Sequence, residues 1–278
     1  MPDIVLIGPV DRPELHVMTF NIRRRIGHLR HTPDLWSRRR GAVRRMLNTE
    51  RPSVLGLQEA LPDQVEFVAA TLGGGYRSIG YGRTAERSGE HCSIFYDASR
   101  LDLLEWSQQA LSDTPDKPGS TTWGNWNPRV VVRASFRDKA GGLDFLVVNT
   151  HFDHFSRKAR LRSAEVVGAI ARSSTLPVVV LGDFNTGVGS KPYVALAAVL
   201  RDAWLVAAQR VTEEWGTFPH YHPPRRGRKR IDWILVSSSI EVRKAAINVN
   251  RYGGAWLSDH APVQVVLALP SDRDSRLG

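Results

Sequence analysis

The chain has 278 residues, 42% of them apolar and 24% charged, an ordinary balance for a globular protein. No stretch approaches the ~18 consecutive apolar residues of a membrane helix, and Cys92 is the only cysteine, which excludes an internal disulfide. The net charge of +10 raises nucleic acid as a partner, but only six of the 38 basic residues are lysine, so arginine richness runs through the whole chain.

Met1–Ile7 has no basic flank and only a short apolar run, so a signal peptide is not expected and a cytoplasmic location is. Leu15-His16-Val17-Met18-Thr19-Phe20 alternates and reads as a strand running into Asn21 and the cluster Arg23-Arg24-Arg25. Pro33-Asp34 opens a helix to about Asn48. Leu35, Trp36, Val43, Met46 and Leu47 make its apolar face, and arginines, Arg38-Arg39-Arg40 among them, cover the solvated one. Pro52–Gln58 is a buried strand that delivers Glu59. Pro62–Leu72 is an amphipathic helix stopped by Gly73-Gly74-Gly75. Strands around Tyr76–Gly80 and Cys92–Tyr96 flank a polar loop from Gly82 to Glu90, with Cys92 as a small core residue. Leu103–Leu111 makes a further strand. A loop rich in Pro, Asp and Ser follows, long enough to be suspected of function.

Arg129–Arg137 alternates strongly. Leu143–Val148 is a strand ending in Asn149-Thr150-His151-Phe152-Asp153-His154, and the period-two rule puts Asn149, His151 and Asp153 on one face. Ser156 caps a helix to about Arg172. Leu176-Pro177-Val178-Val179-Val180 is uncharged and β-branched, a strand buried on both faces. It ends in Leu181-Gly182-Asp183-Phe184-Asn185-Thr186. An acid and an amide there are costly to bury, which points to chemistry, and they share a direction if the extended geometry persists. The same residue types also form ordinary turns. Lys191–Leu200 is a short helix. The Pro-rich loop ending in Arg225-Arg226-Gly227-Arg228-Lys229-Arg230 precedes a strand, Ile231–Val236, with Asp232 near its start. Ser258-Asp259-His260 precedes the last strand, Pro262–Leu269, and Ser271–Gly278 is a polar tail. Nothing splits the chain, so one domain over 1–278 with its core at about 15–268 is expected. Strands outnumber helices, which predicts a layered α/β domain with sheets packed on each other and helices outside.

Strand ends thus deliver Asn21, Glu59, His151, Asp183 with Asn185, and Asp259 with His260; Asp232 adds another acid. Carboxylates and amides without thiols point to a hard cation, Mg2+ or Mn2+. Histidines beside carboxylates supply acid–base groups that titrate near neutrality. This is the equipment for metal-assisted displacement at phosphorus.

The blocks Phe20-Asn21, Leu57-Gln58-Glu59, Asn149-Thr150-His151-Phe152-Asp153, Gly182-Asp183-Phe184-Asn185, Ile231-Asp232-Trp233-Ile234 and Ser258-Asp259-His260 resemble, in order, the endonuclease/exonuclease/phosphatase superfamily with its deoxyribonuclease I-like fold. The resemblance implies a four-layered sandwich: two central mixed β-sheets face to face, with helices on both outer sides. It implies Glu59 as the principal Mg2+ ligand, with Asn21 and Asp259 beside it. Asp183 would activate the attacking water, Asn185 would hold the phosphate, and His151 would sit across it. His260 would bond the phosphoryl oxygens, its tautomer fixed by Asp232. Glu90 would stand behind His151, and Arg129 would meet phosphate or cap the sheet. Trp123 and Trp126 would stack a base or sugar, or cover a core edge. Gly82-Arg83 through Gly89-Glu90, Leu111-Ser112-Asp113-Thr114-Pro115, Pro128-Arg129 and Thr217-Phe218 resemble an uncharacterised bacterial branch. From that pattern the chain departs by inserting Pro219-His220-Tyr221-His222-Pro223-Pro224 and the basic run.

The expected activity is Mg2+-dependent hydrolysis of a phosphate ester by in-line attack of water. Within it a nuclease leads, because of the basic loop. A phosphatase or phosphodiesterase for a nucleotide or other small phosphorylated metabolite follows. A catalytically silent nucleic-acid-binding module is the rival outside the class. No membrane partner is expected, and a monomer is the default.

Overall fold

The computed structural model describes residues 4–26 and 33–270; the polar tail at 271–278 lies outside the described residues. In chain order the elements are β1 (Leu15–Asn21), α1 (Trp36–Glu50), β2 (Val54–Gln58), α2 (Pro62–Leu72), β3 (Tyr76–Ile79), β4 (Ile94–Asp97), β5 (Leu101–Ala110), β6 (Val130–Asp138) and β7 (Asp144–His151). Then come α3 (Arg157–Ser173), β8 (Val178–Asp183), α4 (Lys191–Ala197), β9 (Arg201–Asp202), α5 (Ala203–Val206), β10 (Gln209–Arg210), β11 (Asp232–Val236), β12 (Glu241–Ile247) and β13 (Val263–Ala268).

Two mixed sheets form. One has the order β10-β12-β13-β1-β2-β4-β3 and the other β5-β6-β7-β8-β11-β9. Alternation along each strand sorts the apolar side chains into three cores. Val17, Val54, Val147, Leu181 and Val265 meet between the sheets. On the first sheet's outer face, Met18 and Leu55 pack against Val43 and Met46 of α1 and Val68 of α2. Beyond the second sheet, Val148 and Val180 pack against Val167 of α3 and Leu196 of α4. The result is the four-layered sandwich.

Local chemistry sets the outer helices. Pro62 opens α2, and the Gln64 side chain accepts the Leu61 N–H at 3.2 Å. Ser156 Oγ accepts the Ala159 N–H at 3.1 Å to cap α3, a contact typically worth ~1 kcal/mol. The arginines of α1 are not all solvated as its polar face suggested. Arg39 is buried and donates to the carbonyls of Ile22, Arg23, Asp34 and Leu257.

The topology brings the polar ends together. β1 and β2 run parallel, as do β7 and β8, so each pair finishes on one side. β11 is antiparallel to β8 with Asp232 opposite Asp183, and β13 is antiparallel to β1. The starts of β11 and β13 therefore lie beside the finishes of the other four. Two close approaches need glycine. A Cβ on Gly182 would lie 2.1 Å from the Thr150 carbonyl oxygen, and one on Gly56 would lie 1.9 Å from Leu181 Cδ1 across the sheet interface.

Candidate active site

A cavity of about 510 Å³ opens where the strand ends converge; Glu59, His151, Asp183, Asn185, Asp259 and His260 all line it. Asn21 and Asp232 support it from below. The Asn21 amide nitrogen donates to Asp183 at 2.9 Å and Glu59 at 3.2 Å, tying the two sheets' carboxylates together. Gln58 reinforces the join by donating to Asn149 Oδ1 at 2.7 Å. Asn149 is thus spent between the sheets, and Asp153 binds the N–H groups of Phe155 and Ser156.

Backbone strain aims two of these side chains. Glu59 and Asn185 have φ of 61° and 51°, a left-handed conformation that costs a non-glycine residue about 1–3 kcal/mol. Strand geometry therefore does not persist to Asn185. Its N–H instead donates to Asp183 Oδ1 at 2.9 Å, turning the chain, and its side-chain nitrogen donates to the Phe152 carbonyl at 2.9 Å. Behind this turn Phe184 stacks on Trp233 at 4.5 Å, a rigid apolar wall.

His260 Nδ1 lies 2.9 Å from Asp232, and its Nε2 is 3.7 Å from Asp183. Burial opposes charge on this ring. Asp232 and Asp183 outweigh burial and raise the histidine well above its usual range. His151 Nε2 lies 3.4 Å from Asp183. Burial holds His151 well below its usual range, aided by Arg129 and Arg83. Two histidines on one carboxylate are thus pushed in opposite directions. Asp183 itself is pushed up to about 7, by burial first and then by Asp232.

Oxygen donors gather at the other end. Burial would raise Glu59, but His260, Arg23 and the bonds from Asn21 and Arg24 keep it below its usual range. Burial raises Asp259. The Arg23 guanidinium reaches both, 3.8 Å from Glu59 and 3.5 Å from Asp259. The cation these carboxylates face is Arg23, and with the Asn21 carboxamide oxygen, which accepts the Arg23 N–H at 3.0 Å, they are the oxygen donors that could hold a hard divalent ion. Among the described residues, Asp183, Asp232 and His260 also bring one donor atom each within 4.8 Å of one another.

Cationic groups line the cavity beyond this. Arg129 is buried; its Nε reaches Asp153 at 3.4 Å and its Nη2 His154 Nδ1 at 2.9 Å. Its Nη1 is buried without a partner. Glu90 lines the cavity as expected, but its carboxylate turns to Arg83 at 2.8 Å and Arg24 at 3.6 Å, where the resemblance implied His151. Burial raises it. Arg23, Arg83 and His154 are lining groups that the sequence did not single out as site residues. Arg83 was visible as part of the polar loop before Glu90 and of the block resembling a bacterial branch, with no role attached to it. Phe218 covers His260 with ring centroids 4.8 Å apart. The inserted loop is anchored here too: the His220 N–H donates to the Asp259 carbonyl at 3.0 Å, and Tyr221 donates to Asp34 at 2.5 Å.

The two tryptophans part company. Trp123 is buried and donates to Asp113 at 2.8 Å, whereas Trp126 is 83% exposed. The basic run divides as well. Arg230 is buried against Asp202 at 2.9 Å and reaches Glu214 at 2.9 Å; Arg226 pairs with Glu213 at 3.0 Å.

A model of the endonuclease/exonuclease/phosphatase family matches residues 18–260. A family protein from Bacteroides thetaiotaomicron is 32% identical with a TM-score of 0.85, covering 91% of this chain and 97% of that one. A mannosyl-6-phosphatase from the same organism is 32% identical with a TM-score of 0.83, covering 92% and 100%. The D. rerio protein TDP2, solved with a single-strand DNA product, shares the fold at 17% identity and a TM-score of 0.68, covering 92% and 99%. No curated protein matches the sequence.

Proposed function

Because the chain belongs to the endonuclease/exonuclease/phosphatase family and is a phosphoester hydrolase, we propose that its substrate is a small phosphorylated metabolite and its reaction the hydrolysis of a phosphate monoester. The carrying observation is Arg129, whose buried Nη1 lacks a partner at a cavity also lined by Arg24 and Arg83. Such a cationic wall suits a dianion. The nuclease reading rested on the basic loop, and Arg230 and Arg226 are taken up by Asp202, Glu214 and Glu213. The relative described as a mannosyl-6-phosphatase, 32% identical over 92% of this chain, supports the same choice.

Asn21, Glu59 and Asp259 would hold Mg2+ or Mn2+, which when bound would polarise the phosphoryl group and offset its charge. The alternative cluster with His260 fits less well. Its Nδ1 already bonds Asp232, and a ring held protonated is a poor ligand. Asp183, raised to about 7, takes the proton of the attacking water. The water oxygen bonds phosphorus as the bond to the ester oxygen breaks in line, and the departing alkoxide takes a proton from solvent to leave as the alcohol. His260, fixed by Asp232, donates to the phosphoryl oxygens, and His151, held neutral, faces the same water. Asn185 has one side-chain N–H to offer phosphate, since Phe152 takes the other.

The test is a panel of sugar phosphates, nucleoside monophosphates, p-nitrophenyl phosphate, bis-p-nitrophenyl phosphate, DNA and RNA, each with Mg2+, Mn2+ or EDTA. Monoesters should be cleaved only with the cation. Asp183→Asn should lower kcat by about 10²–10⁴ with an unchanged melting curve. Nucleic acid cleaved faster than any monoester would restore the nuclease.

A further inference from the structure

Beside the cavity stands an aromatic pair that no step above uses. Trp126 is 83% and Phe155 63% exposed, with ring centroids 5.5 Å apart and planes at 40°. Each is one residue from a cavity-lining side chain, Asn127 and His154. Phe155 also packs on the His154 ring at 3.9 Å, and that ring is held by Arg129 at 2.9 Å. The pair thus continues directly from the Arg129 guanidinium, whose Nη1 is without a partner.

The pair is displayed on anchored backbone. Buried Trp123 is bonded to Asp113, and the Ser156 hydroxyl donates to the Trp123 carbonyl at 2.9 Å. The Phe155 N–H donates to Asp153 Oδ1 at 2.9 Å, and Asn125 donates to the Asn127 carbonyl at 2.8 Å. Both rings are thus presented to solvent beside the cationic groups that line the cavity, at the expense of exposed apolar area.

We propose that Trp126 and Phe155 form a shelf for the pyranose ring of a sugar phosphate and set substrate choice, an inference that rests on the monoesterase reading above. Rings inclined at 40° leave one open face and no parallel slot, so they do not sandwich a planar base. A pyranose presents its C–H face to such a surface and its hydroxyls to the rim. There Asn127, His154 and the half-exposed Arg24 supply polar partners.

The experiment compares glucose 6-phosphate and mannose 6-phosphate with nucleoside monophosphates and with glycerol 3-phosphate, which has no ring. Trp126→Ala and Phe155→Ala should each raise KM for a hexose phosphate about tenfold with kcat within about twofold. For glycerol 3-phosphate kcat/KM should stay within about twofold. Saturation-transfer NMR on methyl α-glucoside and methyl α-mannoside, which carry no phosphate, should show ring protons touching the wild type and not Trp126→Ala. Equal loss on ringed and ringless esters, loss confined to nucleoside monophosphates, or unchanged saturation transfer would each overturn the shelf. Should the wild type cleave none of these esters, the monoesterase reading fails, and saturation transfer alone decides the shelf.

Discussion

His16 carries a titrating ring into the interior. It is fully buried, with Nδ1 2.9 Å from the Gly8 carbonyl and 3.1 Å from that of Glu50. Burial lowers its pKa, and the Glu50 charge only partly restores it. Above pH ~6.5 the ring is neutral folded or unfolded and makes no difference. Below that the unfolded chain takes up a proton that the folded one refuses. Stability is therefore lost as pH falls from ~6.5 towards the depressed folded value, by up to about 1.4 kcal/mol per unit. His16→Gln should be less stable than wild type at pH 8, and the gap should narrow at pH 5.5; urea midpoints at both values measure it. Residues of this kind mark the limit of sequence reading. Asp183, Glu59 and His260 were legible because each follows or precedes an apolar run that has no packing use for a charge. Arg39 was not, because an arginine on a helix's polar side looks the same whether it meets water or four carbonyls. Glu90, expected near the site, lines the cavity, but its partner was not legible, since Arg83 reaches it only through the fold of their loop.

Elements were legible wherever the period was clean. The span Pro62–Leu72 is read from Pro62 and the glycines after Leu72, and α2 has those bounds. β12 was missed because a bulge between Val242 and Lys244 breaks its alternation, and its exposed positions carry Glu241, Arg243 and Lys244. β9 and β10, two residues each, are too short to leave a pattern. Two glycines test what the elements require. Gly182→Ala drives a Cβ to 2.1 Å from the Thr150 carbonyl oxygen, between backbones that cannot yield. It should destabilise by about 3 kcal/mol and remove activity with it. Gly41 lies inside α1 with nothing within 4 Å of an added Cβ. Gly41→Ala should stabilise by about 0.5–1 kcal/mol, seen as a raised urea midpoint with unchanged turnover.

For the molecule as a whole, the charge of +10 describes composition better than a binding face. Among the described residues Arg39, Arg100, Arg129 and Arg230 are buried, and Arg230 is the clearest structural case. It and Asp202 are almost fully buried, and Tyr193 also donates to that carboxylate at 3.0 Å. Arg230→Ala leaves Asp202 buried without its counter-charge and should cost about 3–5 kcal/mol in chemical denaturation. One feature of the assembly reaches further than stability. Asn21 ends β1, and Glu59, Asp259 and His260 flank β2 and β13 of the first sheet, whereas His151, Asp183 and Asp232 end or open strands of the second and Asn185 follows β8. Between them, Leu181 fills the space over Gly56, where even a methyl group would collide. The sheets therefore meet through one leucine side chain below the site, and the proposed phosphorus chemistry would take place between strand ends that this contact and the Asn21–Asp183 bond hold together. The core there is a gauge block.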